Sequence, residues 1–173
     1  MRKTANVKPP RQIIGWVIPK ELARGSRPGF SSRKRGQVSQ SEVDAWIKKA
    51  KTDFGIRSVI CLLDENHLRL YEQLQFGLIA YYRAKGLQVE HIAVRNSRSF
   101  SAVHFEKIWK AYQQLQKPVL VHCSAGRGRT RRAVSFIKRQ LRQSGRSSQT
   151  PAGLTAAVPS ASPLRPRSRT ASY

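Results

Sequence analysis

The stretch that most limits what this chain can become runs from Pro118 to Ala133 and reads Pro-Val-Leu-Val-His-Cys-Ser-Ala-Gly-Arg-Gly-Arg-Thr-Arg-Arg-Ala. Val119 to Val121 is a short apolar, largely β-branched run with the character of a buried strand. A Gly-bearing loop, Cys123 to Gly128, follows it, and a helical pattern opens near Arg129. Strand, tight loop and helix N-terminus in that order make an anion cradle. The backbone N–H groups of Ser124, Ala125, Gly126, Arg127, Gly128 and Arg129 can converge on one point, with Gly126 and Gly128 admitting the backbone angles such a ring needs. The positive end of the helix adds to the same field.

A thiol at Cys123 inside that ring is expected to be held as the thiolate by the N–H donors, by Arg129 and by the Thr130 hydroxyl. Arg129 can offer two parallel N–H bonds to phosphate oxygens, and its guanidinium stays charged throughout a reaction. Cys-x5-Arg by itself arises by chance in a chain with 33 lysines and arginines. The surrounding context makes it a phosphate site: His122 before, two glycines within, Thr130 after, and a strand and a helix on either side.

On those residues, His122-Cys123-Ser124-Ala125-Gly126-Arg127-Gly128-Arg129-Thr130, the loop resembles the signature of the cysteine-dependent protein tyrosine phosphatases. The short chain before it resembles their dual-specificity branch, over roughly Ile13 to Arg142. The resemblance implies that Cys123 attacks phosphorus and forms a phosphocysteine, that Arg129 holds the phosphoryl group and that Thr130 assists. It implies a phosphoprotein substrate carrying phosphotyrosine, with phosphoserine and phosphothreonine also open, and no metal or cofactor. It also implies a general-acid aspartate on another loop. The matching position here is Asn96, whose amide cannot donate that proton; Asp64 is the alternative, with Glu65 and His67 beside it. Arg131 stands where the family usually has glycine, and Gln143 to Tyr173 cannot supply the two further amphipathic helices of related domains. The extra cation Arg127 leaves open a phosphoinositide or RNA 5′-phosphatase of the same superfamily. The missing acid leaves open a pseudophosphatase that binds phosphorylated ligands without turning them over.

Against 33 basic residues stand nine acidic ones, a formal charge of +24, and all nine fall between Glu21 and Glu106. Such a field suits polyanionic partners, nucleic acid or anionic lipid, and it equally suits a solvated basic surface. Two cysteines, Cys61 and Cys123, give neither a disulfide framework nor metal-ligand spacing, which points to a reducing compartment. Cys61 reads as a small apolar core residue; some relatives carry a backdoor redox cysteine on a similar strand. The basic N-terminus has no apolar run behind it and no stretch reaches membrane-spanning length, so a cytoplasmic location is expected.

Taken in order, residues 1–12 are a flexible basic lead-in, 13–142 one phosphatase-like domain and 143–173 a disordered basic tail. Ile13 to Ile18 is a strand stopped by Pro19, and Leu22 to Arg24 pairs with it before a turn beginning at Gly25. Ser39 and Glu42 form a capping box for a helix whose buried face is Val43, Trp46, Ile47 and Ala50. Ile56 to Leu63 has the continuous apolar character of a central parallel strand. Leu68 to Lys85 is a helical pattern broken near Gly77, and Leu87 to Val94 is another strand. Ser101 caps a helix with Val103, Ile108, Trp109, Tyr112 and Leu115 on its apolar face. Alternating units predict an α/β fold: a mainly parallel central sheet with helices on both faces and the C-terminal helices missing.

Overall fold

A computed structural model describes residues 14–31 and 36–147, and five strands and five α-helices build the fold. In chain order they are β1 (Ile14–Ile18), β2 (Leu22–Ser26), α1 (Gln40–Phe54), β3 (Ser58–Cys61), α2 (Glu65–Leu68), α3 (Gly77–Ala84), β4 (Gln88–His91), α4 (Ala102–Gln114), β5 (Val119–Cys123) and α5 (Gly128–Ser147). The sheet runs β1-β2-β5-β3-β4, and only the β1–β2 hairpin is antiparallel. The fold is therefore α/β with a mainly parallel sheet, as the alternating pattern predicts.

Both faces of the sheet are covered, because the side chains of each strand alternate. Ala23, Val59, Cys61 and Leu120 pack with Val43, Trp46 and Ile47 of α1 and Leu78 and Tyr82 of α3. Leu22, Ile60, Val121 and Cys123 pack on the other face with Ile108 and Tyr112 of α4 and Ala133 and Ile137 of α5. Cys61 and Cys123 thus belong to opposite faces. All five residues of β5 are buried, which is what a strand flanked by parallel neighbours and roofed on both sides requires.

The capping box is present. Ser39 Oγ accepts from the Glu42 N–H while the Glu42 carboxylate accepts from the Ser39 N–H at 2.9 Å, and left-handed Gly55 ends the helix. Other boundaries move. Gly25 and Ser26 continue β2, so the turn begins at Arg27. β3 and β4 are shorter than their apolar runs, since residues beyond a strand are buried wherever they line the core. Val103 is 56% exposed and lies off the buried face of α4, where Ala111 takes its place. The final helix continues past Arg142 to Ser147. A cavity of about 320 Å³ opens between the edge hairpin and α5, lined by Trp16, Val17, Arg24, Arg131, Val134 and Lys138 among others. Among the described residues no helix is long and apolar enough to cross a membrane. The basic lead-in 1–12, the Arg33–Arg35 segment and the tail from 148 lie outside the described residues.

Candidate active site

The C-terminal ends of three neighbouring parallel strands meet at one rim. β5 delivers Cys123 to it, 3% exposed, between β2 and β3. Pairing continues past the strand ends: Leu62 N–H donates to His122 O at 2.9 Å and Arg27 N–H donates to Ser124 O at 3.0 Å. The loop is pressed against β2 at Gly126, which has φ of +70°; a Cβ there would lie 2.5 Å from Gly25 O and 2.8 Å from Ser26 N. Only glycine fits. Gly128 is different, because it has an ordinary backbone and simply opens α5.

Among the described residues, no backbone acceptor takes the N–H groups of Ser124 to Arg129. The first turn of any helix leaves such donors, so Gly128 and Arg129 are unremarkable; Ser124, Ala125, Gly126 and Arg127 extend the set around the loop. These N–H groups are the donors that an anion lying against the loop would meet.

Arg129 is 7% exposed, and its Nη1 donates to Leu62 O at 3.1 Å and Val94 O at 2.7 Å, the chain segments leaving β3 and β4. No ion pair among the described residues includes it. Two carbonyls fix the guanidinium but do not neutralise it, and the Nε and Nη2 hydrogens remain for a bidentate anion. Beside it Thr130 is buried, and its Oγ1 has no hydrogen-bond partner among the described residues. A buried hydroxyl left so costs about 1–3 kcal/mol, a strain that a bound acceptor would relieve.

His122 is fully buried beneath the loop. Its Nδ1 lies 3.3 Å from Cys123 O and its Nε2 lies 3.2 Å from the Tyr82 hydroxyl. A carbonyl can only accept, so Nδ1 carries the hydrogen and Nε2 accepts from Tyr82. Burial, aided by the charges of Arg129 and Arg27, pushes the imidazole down to about 4. His122 is therefore neutral at pH 7 and carries a relay of two hydrogen bonds from α3 to the Cys123 carbonyl.

Sequence reasoning missed the support on the other side. Arg27 is buried; its Nε donates to Ser124 Oγ at 3.3 Å and its Nη1 to the Tyr71 hydroxyl at 3.3 Å, while Tyr71 donates to Pro28 O at 2.8 Å. Trp46 Nε1 donates to Ser26 O at 3.0 Å. No spacing rule links residue 27 to residue 124, so only the fold reveals this brace.

Asn96 is exposed, and its Oδ1 caps a 3-10 turn, Ser97–Ser99, by accepting from Arg98 N–H at 2.8 Å and Ser99 N–H at 3.1 Å. The turn reaches the loop: Ser97 lies against Gly128, and Arg132 Nη1 donates to Ser97 O at 2.8 Å. Asp64 caps α2 and accepts from the ring and backbone N–H of His67. Burial raises the Asp64 carboxyl, but the His67 hydrogen bonds and the His67 and Arg129 charges outweigh it and hold it below its ordinary value. That direction is opposite to what a general acid at neutral pH needs. Glu65 and Arg127 are exposed.

No family model matches the chain, and no curated protein matches it. Among solved structures it is similar to the core catalytic domain of the PP-IP phosphatase SIW14 from S. cerevisiae, determined in complex with citrate. The identity is 14%, over 81% of this chain and 83% of that one, and the TM-score is 0.35. At that identity and score, what the site can do rests on the geometry of the loop alone.

Proposed function

We propose that the chain is a cysteine-dependent phosphatase acting on phosphate monoesters, phosphotyrosine-like aryl esters first. One observation carries this reading: a buried cysteine opens a loop whose backbone N–H groups have no backbone acceptor among the described residues, and the buried arginine that follows it is in no ion pair among them. The bare cation and the ring of donors match a phosphoryl group with three equatorial oxygens, whose charge they stabilise without reorganising. Cys123 Sγ attacks phosphorus, the S–P bond forms as the bond to the leaving oxygen breaks, and Arg129 and the loop hold the phosphoryl oxygens. Water then attacks phosphorus, phosphate leaves and the thiolate returns, with Thr130 Oγ1 donating to the departing sulfur.

The acid side of the site selects among substrates. Asn96 cannot donate a proton, and Asp64 is held ionised by His67. General-acid help is worth about 10² to 10⁴ in rate, so esters with acidic leaving groups are favoured over alkyl phosphates by roughly that factor. The purified protein should therefore hydrolyse an activated aryl phosphate through a phosphocysteine that can be trapped at Cys123. Cys123→Ser and Arg129→Lys should each reduce the rate at least a hundredfold. Retention of a tenth of the wild-type rate by either variant rules the mechanism out. An aryl phosphate bound but never cleaved identifies a binding module instead.

A further inference from the structure

The phosphatase site does not account for the outer surface of α5. A cavity of about 490 Å³ begins at the loop itself, at Gly128 and Ser97, and runs along the helix past Arg132, Phe105 and Phe136 to Arg139, with Arg131 on its flank. From Gly128 to Arg139 is eleven residues, about 16 Å of helix. Its cations are pre-set. Arg132 lies over the rings of Phe100 and Phe105, at 5.4 and 5.9 Å, and is tied to Ser97 O; Arg139 lies over Phe136 at 5.5 Å. The rings form a ladder of their own, Phe100 on Phe105 at 4.9 Å and Phe105 on Phe136 at 4.8 Å. No described ion pair includes Arg131, Arg132 or Arg139, and the chain has no acidic residue after Glu106. A merely solvated basic face has no reason to hold its guanidinium groups over rings.

We propose that this groove binds single-stranded nucleic acid, with the strand's terminal phosphate lying in the Cys123 loop and the following phosphates on Arg132 and Arg139. The direction of the groove carries the first half of the inference. Anion positions at the loop, at Arg132 about 6 Å along and at Arg139 about 10 Å further form a line, which fits a linear polyanion better than a compact headgroup. The rings carry the second half. Guanidinium planes backed by aromatic rings present both a phosphate fork and a stacking surface for bases, the combination that single-strand binders use. The chain's own tail is excluded as the occupant by charge, since residues 148–173 contain arginines and no acid. The position of the strand's end rests on the phosphatase reading, whereas strand binding is measurable without turnover.

The test is fluorescence anisotropy with a labelled, 5′-phosphorylated single-stranded 12-mer, over a range of salt. Arg132→Ala/Arg139→Ala is compared with Lys48→Ala/Arg57→Ala, which removes the same charge from exposed positions on or beside α1. The groove variant should lose at least tenfold in affinity and its salt slope should flatten by about 1.4, from two phosphate contacts at about 0.7 each. The control should lose less than threefold. Equal losses in the two variants overturn the proposal in favour of net charge. Inorganic polyphosphate or anionic vesicles competing as well as the strand at matched charge overturn it too, because rings would then be irrelevant. Arg139→Ala alone, remote from the loop, should raise KM for the phosphorylated strand and leave aryl phosphate hydrolysis unchanged; an unchanged KM overturns the placement of the strand. A wild-type protein that hydrolyses neither substrate defeats the phosphatase reading and leaves the binding measurement to decide the groove.

Discussion

The two glycines of the loop should respond very differently to the same one-carbon change. Gly126→Ala places a methyl 2.5 Å from Gly25 O, 2.7 Å from Gly25 C and 2.8 Å from Ser26 N, all backbone atoms of a strand held between two others. The left-handed conformation at φ +70° costs alanine about 1–2 kcal/mol. Overpacking against backbone adds about 1–3 kcal/mol. Restricting the unfolded chain returns about 0.4–1 kcal/mol, leaving a net loss of about 1–4.5 kcal/mol. Gly128→Ala meets only the Ser97 side chain, its Cβ at 3.3 Å, and needs no unusual backbone. Its effect should stay within about 0.5 kcal/mol, the usual range for a substitution outside the core. Urea unfolding of the two variants measures the difference directly. The binding of a phosphate analogue should fall with Gly126→Ala as well, because relieving the clash moves the loop off β2 and breaks the bond from Arg27 N–H to Ser124 O. A Gly126→Ala protein within 1 kcal/mol of wild type would mean that the loop is not seated on β2 as described.

Three other outcomes follow from the titrating groups. The His122 imidazole, pushed from 6.5 to about 4, refuses a proton that the unfolded chain accepts. Stability therefore falls as the pH drops from 6.5 to about 4, by about 3 kcal/mol in all, and is unchanged by this group below that; an NMR midpoint for His122 near 6.5 would refute it. Asp64→Asn should change aryl phosphate hydrolysis less than threefold at pH 7, since the carboxylate has no proton to give; a loss above tenfold would make Asp64 the acid after all. Burial pushes the Cys61 thiol up to about 12, so iodoacetamide at pH 7.5 should leave Cys61 unlabelled in the native protein and label it after denaturation; native labelling would contradict the packing of β3.

Much of the site's frame is legible in the chain because it is local. The capping box at Ser39, the apolar run into Cys123 and the helix after it each depend on residues a few positions apart. The order of the sheet is not local, and neither are the contacts it creates. Arg27 braces Ser124 and Tyr82 reaches His122 across gaps of 97 and 40 residues, which periodicity cannot report. Gly126 and Gly128 look alike in the sequence, yet only one is pressed against a backbone. Val103 shows the limit from the other side: it falls on the predicted apolar face of α4, yet it lines an open cavity with Glu90 and His91 of β4 and stays exposed.

The position of β5 between β2 and β3 has a consequence during synthesis. The β1–β2 hairpin and the β3–β4 pair share no strand contact except through β5, the last strand among the described residues. A nascent chain that has emerged only to Lys117 has no strand with which to join the two pairs, and any pair it forms has an open parallel edge, β2 on one and β3 on the other. Such edges are templates for pairing with other chains, and both stay open until Val119 to Cys123 arrive to fill them. The same insertion closes the sheet and brings the Cys123 thiol to its loop, so the cysteine reaches its surroundings only as the two pairs are joined.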